Sequence, residues 1–162
     1  MPEFSVHIAK DDLAFSAAHF ITFSGDTCES LHGHNYRVTA EVSGPLDENH
    51  YVIDFFALHA TLLAIAGELD HGVLLPTGHR TLRVEAGPEE VEVRLAARRW
   101  VFPRSDCRLL PIADTTTELL AQYIGLRTLG ELQSRLGIRP AEMRIELQQG
   151  GGLSAVWRWR AE

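Results

Sequence analysis

Three histidines and a cysteine, His19, Cys28, His32 and His34, fall within sixteen consecutive positions of this chain. His32 and His34 are two apart, and the stretch from Tyr36 to Val42 alternates as a strand does. Side chains at i and i+2 of a strand share a face. With a third imidazole, His19, arriving from a neighbouring strand, they can supply the three nitrogens of an open zinc site. Three protein ligands and a vacant fourth position make a catalytic zinc, not a structural one. Imidazole-rich open sites suit zinc well among divalent ions. Cys28 has three readings: a small buried hydrophobe, a thiolate able to accept a proton near a metal, or a further zinc ligand. Spacing alone does not choose among them.

Other chemistry-bearing residues have plainer readings beside the functional ones. Asp70-His71 reads as a helix C-terminus, where an imidazole interacts well with the dipole, or as a carboxylate–imidazole pair that orients a general acid. Glu118 sits three residues after Thr115, the spacing of a capping box. Glu146 lies between Ile145 and Leu147; if those face the core, it faces the other way, where a carboxylate could accept paired N–H bonds from a guanidine-like ring edge. His7, His50, His59 and His79 read as ordinary surface or core histidines.

The elements that must hold these groups fit one domain. A chain of 162 residues is long enough for one proper core and short for two. A net charge of −7 argues against a nucleic-acid partner. No stretch reaches the ~20 apolar residues of a membrane helix, and the N-terminus shows no signal-peptide pattern. Cys28 and Cys107 are the only cysteines, far apart, so a disulfide framework is not expected. The chain reads as cytoplasmic.

Strands are expected at 3–10, 12–20 and 33–43, with Cys28 on a loop and Asp54 capping a helix over 55–68. A second helix fits 116–136 and stops at Gly137. Residues 142–148 and 153–160 form a closing hairpin around Gly150-Gly151-Gly152. Between the helices, 80–86 and 90–102 suggest two strands around Gly87-Pro88. Pairs of strands beside helices, without strict alternation, point to α+β with an antiparallel sheet.

Taken in order, Phe15…His19, Cys28-x-x-x-His32-Gly33-His34-Asn35-Tyr36, Val52…Asp54-Phe55, Leu69-Asp70-His71, Thr116-Thr117-Glu118 and Ile145-Glu146-Leu147 resemble the 6-pyruvoyltetrahydropterin synthase/6-carboxytetrahydropterin synthase family. The resemblance covers the chain except roughly residues 78–108. It implies the tunnelling fold (T-fold): an antiparallel four-stranded sheet with two helices on one face, joined edge to edge into homo-oligomers, usually hexamers, with active sites between subunits. It implies that His19, His32 and His34 bind Zn2+, that Cys28 abstracts a proton, and that Asp70 and His71 complete the catalytic set. Glu146 would anchor the pterin ring, and Thr116, Thr117 and Glu118 would line its pocket. The implied substrate is 7,8-dihydroneopterin triphosphate.

The short Cys28-to-His32 spacing resembles the carboxy-forming enzymes of the queuosine/deazapurine route, which release acetaldehyde and triphosphate. The pyruvoyl-forming activity is the alternative. Glu29 beside Cys28 raises a third, because some relatives serving folate synthesis use a glutamate in this loop and release 6-hydroxymethyl products. A non-catalytic zinc- or pterin-binding scaffold is the reading of a different class, and the intact Cys28, Asp70 and His71 set argues against it. Two departures stand out. Residues 78–108 are a strand-rich insertion, expected as a β-hairpin bearing Arg94, Arg98, Arg99 and Arg104, a solvated edge or a binder of triphosphate. The run Leu147-Gln148-Gln149-Gly150 differs from the threonine the family more often has after the glutamate.

Overall fold

The computed structural model describes residues 4–162. Its first half runs β1 (Phe4–Ile8), β2 (Ala14–His19), β3 (Thr22–Phe23), β4 (Thr27–Cys28), β5 (His32–Gly44) and α1 (Phe55–Leu69). The second half runs β6 (Gly72–Pro76), β7 (Arg83–Ala86), β8 (Glu90–Leu95), β9 (Arg98–Pro103), β10 (Cys107–Leu110), α2 (Thr117–Leu136), β11 (Glu142–Gly150) and β12 (Leu153–Arg160).

Strand β5 organises the main sheet because its even-numbered residues Tyr36, Val38, Ala40 and Val42 are all buried while the odd ones are not. A slip of one residue would turn that whole apolar set to solvent, so the register is strongly specified. Strands β2, β5, β11 and β12 pair antiparallel in that order, which is the expected four-stranded sheet. β1 pairs with the far end of β5 along the same edge that β2 uses. Two further strands extend the sheet with parallel pairing: β6 beside β2, and β10 beside β6. The whole is an α+β fold with a mixed sheet.

Both helices cover the face that carries Tyr36 and Val38. Leu58, Leu62, Ile65 and Leu69 of α1 and Leu120, Ile124 and Leu132 of α2 share one core with Ile145 and Leu147 of β11. Asp54 caps α1, its carboxylate accepting from the backbone N–H groups of Phe56 and Ala57. The cap of α2 differs from expectation: Thr116, not Thr115, accepts from Leu119 N–H at 3.3 Å. Thr115 is fully buried and its hydroxyl donates to the Phe20 carbonyl instead, so the capping box with Glu118 does not form. Gly137 ends α2 at φ 66°, the left-handed conformation that glycine tolerates best.

Residues 83–103 form three strands, where two were expected over 80–102. β7, β8 and β9 form an antiparallel sheet, the second turn falling at Ala96 (φ 50°). Val91, Val93 and Leu95 alternate inward and, with Phe20, Leu75, Leu82 and Cys107, make a second apolar core. Tyr51-Val52-Ile53 is not a strand.

Candidate metal and substrate site

The three histidines extend the buried ladder of the main sheet. His19 and His32 are directly paired across β2 and β5, and His34 lies one step further along the same face, ahead of Tyr36. His19 Nδ1 lies 2.9 Å from the Thr115 carbonyl, and His32 Nδ1 lies 2.8 Å from the Ser30 carbonyl. A carbonyl can only accept, so both Nδ1 atoms carry the proton, and Nε2 is the nitrogen of each ring left to ligate. A backbone partner on the outer nitrogen is what orients a metal-ligating imidazole.

The His32 and His34 Nε2 atoms are 3.0 Å apart. A lone pair on His32 facing that nitrogen needs a proton or a cation between them. One ligand nitrogen from each ring lies within 4.8 Å of the others. The donor set fits an open divalent-metal site. Burial pushes both His19 and His34 below the ordinary imidazole range; the charge of His32 adds to this at both, while the Thr115 carbonyl opposes it at His19. Both therefore favour the neutral, ligating form. The buried Tyr36 hydroxyl, 3.5 Å from His19 Nε2, is pushed well above its usual value by desolvation.

A cavity of about 460 Å³ opens on these rings. Thr116, Thr117 and Glu118, at the start of α2, line it together with Ile21, Glu29, Gln149 and Ser154. The Thr117 hydroxyl donates to Gln149 Oε1 at 2.7 Å, tying the helix start to the β11–β12 turn. Glu29 reaches to 3.7 Å from His32 Nε2. Thr116, Thr117 and Glu118 thus lie together with the three histidines.

Other expected site residues lie elsewhere in the subunit. Cys28, expected on a loop, forms a two-residue ribbon with Thr22. Its sulfur packs against the second core and accepts from Arg98 Nη1 at 2.8 Å. Asp70 and His71 are paired at 2.9 Å, and His71 lines a second cleft with Ser16, Ala18, Gly33 and Asn35 as well as Ala17 and His34. Asp70 is held below the usual carboxylate range, first by the Ser16 N–H and then by His71. His71 itself adopts φ 53°, uncommon for a side chain of its size.

Glu146 also faces away from the core. Arg144 at 2.7 Å and the Ser154 hydroxyl at 3.0 Å engage its two oxygens and, Arg144 first, hold its carboxyl below the usual range. The sequence marked Gln149 only as part of a departure from the family and Arg98 only as one of four clustered arginines; Gln149 enters the cavity beside the register shift between Gln148 and Gly150, and Arg98 reaches Cys28 across 70 positions. Of the arginines between residues 78 and 108, Arg94 on the central strand β8 and Arg99 on β9 both engage Glu92 of β8. Among the remaining histidines, His59 pairs with Asp12 at 2.9 Å.

Comparison with known proteins follows the same geometry. Residues 8–148 match the family described as 6-pyruvoyl tetrahydropterin synthase. A Methanocaldococcus jannaschii protein named "Putative 6-carboxy-5,6,7,8-tetrahydropterin synthase" is 31% identical over 148 residues, 90% of each chain. A Pyrococcus abyssi protein of the same name is 29% identical over 71% of this chain and 69% of its own. The crystal structure of Plasmodium vivax 6-pyruvoyl tetrahydropterin synthase superposes with a TM-score of 0.89 at 26% identity, covering 99% of this chain and 100% of that one. A further structure of the Plasmodium vivax protein, 25% identical with TM-score 0.89 over 99% of this chain and 100% of that one, is described as a catalytic-residue mutant in which a glutamate is replaced by alanine.

Proposed function

The chain belongs to the 6-pyruvoyl tetrahydropterin synthase family, and from that premise we propose that this pterin lyase is a zinc-dependent 6-carboxy-5,6,7,8-tetrahydropterin synthase. It converts 7,8-dihydroneopterin triphosphate and water to 6-carboxytetrahydropterin, acetaldehyde and triphosphate, the product that queuosine-type deazapurine synthesis consumes. The carrying observation is the convergence of His19, His32 and His34, with Nδ1 protons of the first two already committed to backbone carbonyls. A zinc ion held by the three imidazoles supplies Lewis acidity to the hydroxyls of the substrate side chain.

The chain's own groups do the rest. The start of α2 presents backbone N–H groups and the Thr116 hydroxyl in a positive helix-end field to the bound substrate, while the Thr117 hydroxyl stays committed to Gln149. Glu146, ionised and flanked by Arg144, accepts the paired N–H groups of the pterin edge. His71, oriented by Asp70, exchanges a proton with the substrate side chain, and the resemblance gives the abstraction itself to Cys28. Glu146 points to the sheet face opposite the histidines and His71 lines a cleft other than the histidine cavity, so on this reading a complete site draws on more than one copy of the chain. We assign that role to a homo-oligomer, a hexamer by resemblance, for which the outer edge of β12 with exposed Leu153 offers a joining strand.

A second reading is favoured by one observation: Glu29, not Cys28, lines the histidine cavity. A glutamate taking the proton there suits the folate-type cleavage that leaves a 6-hydroxymethyl group, and the glutamate named as catalytic in the Plasmodium vivax protein agrees with it. Incubation of the zinc-loaded protein with 7,8-dihydroneopterin triphosphate, followed by mass spectrometry, tests the assignment. 6-Carboxytetrahydropterin with acetaldehyde supports it; a 6-hydroxymethyl product moves the chain to the second reading and a 6-pyruvoyl product to the sister activity. Bound zinc without turnover sinks all three and leaves a scaffold.

A further inference from the structure

We propose that Arg98, carried by the insertion, is a positioning residue that keeps Cys28 turned out of the histidine cavity and so presents Glu29 to the substrate. The inference rests on the pterin-lyase reading above, whichever product forms.

The β3–β4 ribbon sets the choice. Thr22 pairs with Cys28, and the Glu29 N–H donates to the Ile21 carbonyl at 3.1 Å, extending the ladder by one residue. Neighbours along a strand point to opposite faces, so the Ile21/Glu29 pair and the Thr22/Cys28 pair cannot both face the cavity. Ile21 and Glu29 line it. The Thr22/Cys28 side is anchored away: the Thr22 hydroxyl donates to Asp114 at 2.9 Å and lies 2.5 Å from His79 Nε2. His79 Nδ1 accepts from the N–H groups of Thr81 and Leu82, at 3.0 and 2.8 Å. That nitrogen is therefore unprotonated and Nε2 is the donor toward Thr22.

Arg98 closes the anchor on the Cys28 side. One guanidinium nitrogen donates to the Cys28 sulfur at 2.8 Å and to its carbonyl at 3.3 Å. The guanidinium is itself held over the Trp100 ring, 4.8 Å from its centroid. Trp100 in turn stacks on buried Phe20 at 4.6 Å, the residue immediately after the ligand His19. The insertion thus reaches back to the body through Phe20 and fixes Cys28 on one side of the ribbon. Its exposed guanidinium makes Arg98 replaceable without opening the second core.

Two measurements test this, one of them independent of turnover. In the first, the rate of Cys28 alkylation by iodoacetamide is followed by peptide mass spectrometry under identical alkaline conditions for every variant and reads access to the sulfur. Arg98→Ala should raise the Cys28 rate at least about fivefold, Arg98→Lys should restore most of the protection, and buried Cys107 serves as internal reference. Equal rates in the wild type and Arg98→Ala overturn the proposal whether or not the protein is an enzyme.

The second measurement is a double-mutant cycle in turnover of 7,8-dihydroneopterin triphosphate. In the wild type, Glu29→Gln should cost more than about 100-fold, and more than Cys28→Ala costs. In the Arg98→Ala background the cost of Cys28→Ala should grow at least fivefold. An equal cost in both backgrounds contradicts the proposal. Absence of turnover in the wild type refutes the functional reading alone, and the alkylation rates then decide the role of Arg98.

Discussion

The two cores of this molecule are built differently and do different work. In the main sheet, β2 and β5 continue one alternating row from Val42 through Tyr36 to His34 and His32, so the ligands inherit their position from the packing of the core. Over residues 83–103, a three-stranded sheet packs on a second, smaller core shared with Phe20 and Leu75 and reaches the rim of the site through Arg98 and Trp100. The contrast teaches where precision and selectivity are kept. The geometry of the imidazole cluster is written into doubly paired strands, while in the proposal above the choice of side chain offered to the substrate depends on one exposed arginine.

The sharpest break of that contrast is at a ligand. His34→Ala should weaken zinc binding by more than about 100-fold, since even losing a supporting hydrogen bond commonly costs 10- to 100-fold, and turnover should fall with it. Competition against a chromophoric chelator measures the first, and unaltered affinity would remove His34 from the site. Next come the cores. Leu120→Ala and Leu95→Ala should each cost about 2–5 kcal/mol locally. Denaturant unfolding should show the whole loss for Leu120→Ala. Hydrogen exchange should confine the effect of Leu95→Ala to the β7–β9 amides, leaving zinc affinity within about twofold. Equal global losses would mean that the two cores unfold as one.

Gly125 is a smaller probe. A methyl group there would run into the Trp157 ring, which packs α2 against β12. Gly125→Ala should cost about 1–3 kcal/mol as an overpacked contact, read from the urea midpoint; a neutral substitution would show that Trp157 is free to move.

The smallest effect concerns Asp70. Its folded carboxyl lies below its unfolded value of about 3.9, so its contribution is present above that value and is lost as pH falls through the lower folded one. Between pH 5 and 3 the wild type should therefore lose more stability than Asp70→Asn. Parallel loss in both would remove Asp70 from the acid response.

Much of this arrangement is legible in the residues. The alternation of β5, the stripes of α1 and α2 and the ordered family motifs give the four central strands, the helices and the imidazole cluster. What alternation cannot show is pairing between distant segments. Val73-Leu74-Leu75 is a continuous apolar run, buried on both sides in a parallel pair with β10, and so carries no period to read. Thr115 and Thr116 exchange roles because the Thr115 hydroxyl and carbonyl are taken by Phe20 and His19, contacts made across the fold. Which of Cys28 and Glu29 faces the cavity depends on their partners Thr22 and Ile21, and on an arginine 70 positions away.

X-ray absorption at the zinc edge of the loaded protein tests the central claim most directly. Zn–N and Zn–S distances differ, at about 2.0–2.1 and 2.3 Å, so imidazole and sulfur neighbours are resolved in one spectrum. The account predicts three imidazole nitrogens with light-atom ligands and no sulfur, because His19, His32 and His34 converge while Cys28 is held by Arg98. A sulfur neighbour, lost in Cys28→Ala, would contradict it.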